Sequence, residues 1–240
     1  MNGFGNMSGK IIIGLEAHDA TGKSETSEVL ARIFGGSIYK VSDEMKSERR
    51  QACEPIDIFK KFTRDSSPES DEYNLEIFEK ACNKMDESYS KESEIINKIR
   101  SNFIVMDRTW ASHAAERYYQ SRINGHENEY LDEKEENILW PKNVIKPDIT
   151  FEMKLVPDSK RVERMTERAE EEGVEIKPRE EKLNSDEQYR WLLEIARKKL
   201  GCRSFVFREK RPQEVCALRI SQSILGSFDC PPMDTNLKHL

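Results

Sequence analysis

The chain has 240 residues, which is enough for one large α/β domain with a sizeable core. Its net charge of −6 and its pI of about 5.5 argue against a nucleic-acid-binding protein that relies on its overall charge. No apolar run approaches the roughly 20 residues that span a bilayer, and no signal-peptide core precedes the first apolar run, so we expect a cytoplasmic protein without a membrane partner.

The five cysteines show no CxxC spacing, and their number is odd. Both features favour a reducing compartment over a disulfide framework. The four histidines form no ligand cluster with the cysteines, so a metal site built from these two residue types is not expected.

The first predicted elements are a strand, a loop and a helix in immediate succession. Residues 11–13 form a β-branched run that predicts a buried parallel strand. Residues 17–24 then fit a phosphate-binding loop, with Ala17 where the first glycine usually stands and Gly22-Lys23-Ser24 at its end. The apolar residues of segment 25–34 fall on one helical face, so the loop has the context that this motif requires.

Each residue at the end of this loop suits a phosphate ligand. Gly22 lets the backbone approach a phosphate closely, because no Cβ intervenes. Lys23 would lie across the β- and γ-phosphates, and Ser24 would give its hydroxyl to Mg²⁺. The alternative is an ordinary strand-to-helix turn that happens to contain Gly-Lys-Ser. The residues expected to bind ATP are Ala17, His18, Asp19, Ala20, Thr21, Gly22, Lys23, Ser24 and Glu25.

A short second strand is predicted at residues 37–41, followed by a polar and irregular segment at 42–55. That segment carries the adjacent pair Arg49 and Arg50, which would either hold an anionic substrate or form a solvated surface. Residues 56–62 predict a short helix.

One long helix is predicted over residues 71–100, with apolar residues at helical spacing. It contains Asn83-Lys84-Met85-Asp86, which matches the guanine-reading NKxD motif of small GTPases. That motif must follow a buried strand, whereas this copy lies within a helix. We therefore reject a GTPase.

The third strand, at residues 103–106, ends at Asp107 and Arg108. In an open parallel sheet the carboxyl edge of the strands is where ligands bind. An aspartate there can hold Mg²⁺ or orient an acceptor, and an arginine beside it can take two phosphate oxygens. The alternative is a surface ion pair after a strand. A further helix is expected from Ser112 onward.

The fourth strand is predicted at 148–155, and a helix begins after Pro157. Residues 161–182 are highly charged and are interrupted by Gly173 and Pro178, which predicts a helix, a loop and a return. This segment is either a solvated helical hairpin or a lid that lowers arginines onto a transferring phosphate.

An amphipathic helix ending at Gly201, a fifth strand at 203–207 and a last helix complete the chain. We expect one P-loop domain over residues 10–225, in which residues at about 160–182 are the candidate lid. Residues 1–9 and 226–240 are expected to be flexible.

Strands that alternate with helices predict a mostly parallel sheet covered on both faces. With its motifs, the chain resembles the thymidylate kinase family of nucleoside monophosphate kinases, and within it the mitochondrial UMP–CMP kinase branch. The matching pieces, in order, are residues 16–24, 105–112, Trp-Pro at 140–141, Lys-Pro-Asp at 146–148, and an arginine-bearing lid with Arg164, Arg168 and Arg179-Glu180-Glu181.

The resemblance implies an α/β P-loop nucleoside kinase fold with a five-stranded parallel sheet, helices on both faces, and the arginine-bearing lid. It implies ATP as phosphoryl donor, Mg²⁺ as cofactor, and a pyrimidine nucleoside monophosphate as acceptor. It also implies catalytic roles for Lys23, Arg108, Arg164 and Arg168, acceptor contacts from Asp19, Phe78, Asn83, Arg108 and Arg179, and a metal site at Ser24 and Asp107. A homodimer is expected from the same resemblance.

The chain departs from the family pattern at four positions. Ala17 replaces glycine, His18 replaces an apolar residue, and Glu25 replaces threonine. Thr109 stands where an aromatic residue usually follows Asp-Arg, and we expect it near the acceptor, where it would alter the choice of base. Two alternatives stay open: a deoxynucleoside kinase, and a catalytically weak nucleotide-binding module.

Overall fold

The fold is known from a computed structural model, which describes residues 9–18, 20–57, 68–124, 131–132, 137–176, 181, 184–208 and 213–227. Within the helices and strands of these ranges, some side chains, including that of Phe78, lie outside the description. The two expected flexible ends fall almost entirely on residues outside the described ranges.

Five parallel strands form the central sheet, in the order β2-β3-β1-β6-β7. Their bounds are β1 Ile11–Ala17, β2 Ser37–Tyr39, β3 Phe103–Asp107, β6 Ile149–Val156 and β7 Arg203–Arg208. A separate antiparallel pair joins β4 (Leu131–Asp132) to β5 (Asn137–Ile138). The five strands predicted from apolar runs are thus confirmed, together with their parallel arrangement.

The described helices are α1 Lys23–Ile33, α2 Asp43–Asp57, α3 Pro68–Lys98, α4 Trp110–Asn124, α5 Asp158–Glu172, α6 Glu187–Lys199 and α7 Gln213–Ser227. The long helix expected at 71–100 is confirmed as α3. The prediction of an irregular segment at 42–55 is wrong, because helix α2 occupies these residues from Asp43 onward. Ser42 accepts a hydrogen bond from the Met45 amide at 3.2 Å, and Arg49 bonds to α3, so tertiary contacts stabilise a helix that its polar sequence does not announce.

Apolar side chains cover both faces of the sheet. On one face, β1 residues Ile13 and Leu15 pack with α1 and α7. On the other face, Ile12 packs with Ile96 of α3, and a larger cluster joins α3, α4 and α6. Because successive side chains of a strand point to opposite faces, the isoleucine run of β1 serves both layers.

The register of the two central strands decides where functional groups meet. Leu15 of β1 lies opposite Asp107 of β3, so both strands end at the same edge of the sheet. The phosphate loop follows β1 and the Asp-Arg pair ends β3. Among the described helices, none is long and apolar enough to cross a bilayer.

Candidate active site

The loop between β1 and α1 has the backbone of a phosphate-binding turn. Ala20 and Gly22 have positive φ angles of 61° and 86°, and Gly22 caps the N-terminus of α1. A Cβ added at Gly22 would lie 2.5 Å from the amide end of the flexible Gln213 side chain, which can move aside, so it is the backbone angle that favours glycine. The amides at the start of α1, with the positive end of its dipole, therefore meet at one concave point.

Asp107 joins the end of β3 to this loop. Its Oδ1 forms an ion pair with Nζ of Lys23, and its Oδ2 accepts a hydrogen bond from the Ser24 hydroxyl at 3.0 Å. The side chains of Lys23 and Asp107 are only 10% and 12% exposed. The cation and the carboxylate are therefore held together at the sheet edge with little water to screen them.

The loop and helix α5 border an open cavity of about 360 Å³. It is lined by His18, Ala20, Thr21, Gly22, Lys23, Ser24, Glu25, Arg164, Arg168 and Gln213. Arg164 and Arg168 lie one helical turn apart, on the same side of α5. Three cationic side chains from two elements thus border one space of a size that suits a polyanionic ligand.

The turn after β3 holds Arg108 in the left-handed region, at φ 77°. An arginine there costs on the order of 1–3 kcal/mol, which the surrounding contacts must offset. Its amide donates to the carbonyl of Leu15 at 3.1 Å. The next residue, Thr109, is fully buried, and its hydroxyl donates a hydrogen bond to Glu16 of β1 at 2.6 Å, so its influence on the choice of base stays a prediction.

The remaining predicted site residues are dispersed. Ala17 is buried in the core at the end of β1 and does not line the cavity. Glu25 is exposed on α1, where it borders the cavity, whereas Asn83 is exposed on α3. Asp19, Arg179 and the side chain of Phe78 lie outside the described residues, so their roles stay predictions.

A buried polar cluster between α2 and α3 was not foreseen. Arg49 donates to Glu92 at 2.7 Å and to Ser88 at 2.9 Å, and its guanidinium carbon lies 3.8 Å from the ring centroid of Tyr89. The alternative that Arg49 belongs to a solvated surface is therefore wrong. Burial raises the pKa of the Glu92 carboxyl, although Arg49 lowers it in part. Burial likewise raises the pKa of Tyr39 to about 12.

A second buried group centres on Asp86, the last residue of the NKxD-like sequence. Its carboxylate accepts a hydrogen bond from the Trp110 indole at 2.7 Å and lies 3.5 Å from Arg117. His113 is buried beside it, with Nε2 3.6 Å from Asp86 and unbonded. Burial lowers the pKa of His113 to about 4. Asp86 is thus engaged in the interior.

The donor atoms near the phosphate loop suit a hard cation. Within the described ranges, no group of three or more His, Cys, Asp or Glu residues could hold a metal ion. Ser24 and Asp107 nevertheless place a hydroxyl and a carboxylate oxygen 3.0 Å apart. Magnesium prefers oxygen ligands and takes one or two from the protein, the others coming from water and substrate phosphates. The residues present therefore fit Mg²⁺ bound together with a nucleotide.

The parallel sheet, the loop that follows β1 and the flanking helices define an α/β fold of the P-loop kinase type. Among solved structures, it is similar to deoxyadenosine kinase from M. mycoides with bound dCTP: TM-score 0.50, 15% identity, covering 90% of this chain and 100% of that one. The same enzyme with the products dCMP and a flexible dCDP gives a TM-score of 0.51 and 16% identity, over 90% and 100%.

A third similar structure is thymidylate kinase from Candida albicans, with TM-score 0.46, 17% identity, and coverage of 92% of each chain. No protein-family model matches the sequence, and no curated protein matches it significantly. The two likenesses to deoxyadenosine kinase show the fold.

Proposed function

We propose that the chain is an ATP-dependent nucleoside monophosphate kinase that transfers the γ-phosphoryl group to a pyrimidine acceptor, dTMP or (d)UMP and (d)CMP. The observation that carries the proposal is the contact of Asp107 with both Lys23 and Ser24. It joins the phosphate loop to the strand end that bears Arg108. A donor phosphate on the loop and an acceptor phosphate on Arg108 would then share one sheet edge.

In this proposal the chain's own residues supply position and positive charge, which is most of what phosphoryl transfer requires. Lys23 and the loop amides hold the β- and γ-phosphates, and Lys23 must leave Asp107 to do so. Ser24 and Asp107 hold Mg²⁺, which would neutralise charge on the donor phosphates. Arg108 orients the acceptor phosphate.

Helix α5 acts as the lid over the donor. Arg164 and Arg168 border the same cavity as Lys23, where they would stabilise charge on the transferring group. A closed lid also excludes water, which would otherwise accept the phosphate. The role of Arg179 remains part of the same proposal.

The pyrimidine acceptor is supported by the ordered motifs shared with the thymidylate kinase family, including the UMP–CMP kinase branch. Asp19, Phe78 and Asn83 are proposed to contact this acceptor. A homodimer in the reducing cytoplasm belongs to the same proposal.

The test is ADP release, measured with Mg²⁺·ATP over a panel of nucleoside monophosphates. We expect turnover with at least one pyrimidine monophosphate and loss of it in Lys23→Ala. Lys40→Ala is the matched control, since Lys40 is half-exposed and pairs with Glu28 on the surface. If no monophosphate is turned over above the Lys23→Ala background, the proposal fails.

A deoxynucleoside kinase is the second candidate. The two deoxyadenosine kinase structures support it, since they cover almost the whole described fold. A nucleoside acceptor needs a carboxylate to take the proton of its hydroxyl, and Asp107 is one in contact with Lys23 and Ser24 of the cavity. Assays of deoxyadenosine, deoxycytidine and thymidine beside their monophosphates separate the two. Tight ATP binding without transfer to any acceptor would instead favour a nucleotide-binding module.

A further inference from the structure

Two residues of β1 form a socket for Thr109. The carboxylate of Glu16 is fully buried, and its Oε1 accepts hydrogen bonds from the amide and the hydroxyl of Thr109, both at 2.6 Å. Its Oε2 accepts a hydrogen bond from the Ser112 hydroxyl. Gly14 leaves room for the threonine methyl, because a Cβ there would lie 2.6 Å from Cγ2 of Thr109.

The socket fixes a turn whose backbone is otherwise unfavourable. Arg108 has a positive φ of 77°, a conformation that an arginine seldom adopts without support. It is held on both sides: its own amide bonds to Leu15, and the following residue is bonded to Glu16. Each of these contacts comes from β1, the strand that also leads into the phosphate loop.

Glu16 is poorly suited to a direct role in catalysis. Both of its oxygens already accept hydrogen bonds from the protein, and it does not line the cavity formed by the phosphate loop and α5. Its contacts can instead fix the position of the turn at Arg108 and Thr109. The strand β1 leads into the donor loop, and Glu16 near its end also bonds to the turn that would hold the acceptor.

We propose that Glu16 is a positioning residue that fixes the Asp107–Arg108 turn relative to the phosphate loop. The inference rests on the proposed kinase function, and it identifies the residue that aligns the donor loop with the acceptor-side turn. Because phosphoryl transfer depends on in-line placement, a displacement of about 1 Å can lower the rate about 100-fold. Loss of Glu16 should therefore slow transfer more than it weakens ATP binding.

The test compares Glu16→Gln with Glu152→Gln. Glu152 is the matched control, because it is a buried glutamate on β6 that lies opposite Glu16 in the sheet and binds Arg197 at 2.8 Å rather than the turn. We expect kcat to fall about 30- to 100-fold in Glu16→Gln, with KM for ATP within about threefold, whereas Glu152→Gln loses thermal stability but keeps kcat within about threefold. Equal kcat losses in the two variants would overturn the proposal.

A conservative pair gives a second readout. Thr109→Ser keeps both donors to Glu16 and should keep kcat, whereas Thr109→Val loses the hydroxyl and should lower kcat about tenfold. If Glu16→Gln does not fold, this pair decides: a Thr109→Val variant within twofold of Thr109→Ser would contradict the inference.

An NMR measurement separates this inference from the kinase assignment. The Thr109 amide proton, bonded to a buried carboxylate, should resonate far downfield and move upfield in Glu16→Gln but not in Glu152→Gln. If the wild-type chain phosphorylates no acceptor while this amide behaves as expected, the proposed function fails and the placement of the turn by Glu16 stands. An unshifted amide in Glu16→Gln overturns the inference itself.

Discussion

Around the turn after β3, buried polar side chains are held by partners far along the chain. Thr109 bonds to Glu16, Trp110 bonds to Asp86, and Arg49 bonds to Glu92. A buried polar atom without such a partner destabilises the fold by about 1–3 kcal/mol. In the part of the chain that the structure describes, Nε2 of His113, Oε1 of Glu92 and the indole nitrogen of Trp140 are buried without a hydrogen-bond partner, so they are weak points of this layer.

His113 should make the fold sensitive to acid. Burial lowers its pKa from 6.5 to about 4, and the nearby Arg117 and Arg49 oppose its protonation while Asp86 favours it. Between these two values the unfolded chain binds the proton and the folded chain does not, so the stability is full above pH 6.5 and falls as the pH drops toward 4. The loss from this residue is on the order of 3 kcal/mol.

Urea unfolding of wild type and His113→Gln at several pH values between 4 and 7 checks this. The free energy of unfolding of the variant should depend much less on pH. Tyr119→Phe, on the same buried helix, should keep the pH dependence of wild type. Glu92 has a raised pKa and acts in the opposite direction, but it is present in all three proteins and its contribution cancels in the difference. Parallel pH profiles for wild type and His113→Gln would contradict the prediction.

Some residues of the site could be read from the sequence and others could not. Gly22, Lys23 and Ser24 act through their own local backbone, so their spacing suffices to predict the loop. Thr109 depends on a partner 93 positions away, and Arg49 on one 43 positions away. No local pattern carries those contacts, and so the burial of Thr109 against Glu16 could not be predicted from the sequence.

At the scale of elements, α5 combines anchoring with exposure. Arg161 is almost fully buried, donates to Asp158 at 2.8 Å and also bonds to Asn184 at 2.6 Å. These contacts fix the helix against the segment that follows it. Further along the same helix, Arg168 is 68% exposed and pairs with Glu172 at 2.8 Å. The helix therefore presents an exposed cation from a fixed base.

Arg168→Ala should lower kcat about 100-fold, because it removes positive charge from the transferring phosphate. The affinity for ATP should change little, since Lys23 and the loop amides remain. Steady-state kinetics, together with calorimetric titration of ATP, separate the two effects. Arg203→Ala serves as the control, because Arg203 lies on the edge strand β7 and bonds to Ser227. A weakened affinity with unchanged kcat would assign Arg168 to ATP binding alone.

Elements with an apolar pattern were predicted well, and those stabilised by packing were not. The strands β1 and β3 are indicated by apolar runs, which is the pattern of strands buried on both faces, and β6 is indicated by apolar residues at every second position. Helix α2 has few apolar residues, and its best contacts are with α3. Its helical state is a property of the assembled layer rather than of its own sequence.

At the scale of the whole molecule, the proposed function joins donor and acceptor at one edge of a single sheet. A ligand that binds only the folded chain stabilises it by about 2.7 kcal/mol at 100 times its Kd. In a protein of this size that corresponds to a rise in Tm of about 5–10 °C. We expect this rise with Mg²⁺·ATP, and its loss in Lys23→Ala.

A bisubstrate compound, in which adenosine and a pyrimidine nucleoside are joined through a chain of phosphates, tests whether the two sites are continuous. If the donor loop and Arg108 share one cleft, the compound should raise Tm further than ATP and the monophosphate do separately, because one ligand pays the entropy of binding once. Differential scanning fluorimetry on wild type and Arg108→Ala measures this, and the extra rise should vanish in the variant while the ATP-induced rise remains. An extra rise that survives in Arg108→Ala would place the acceptor phosphate elsewhere.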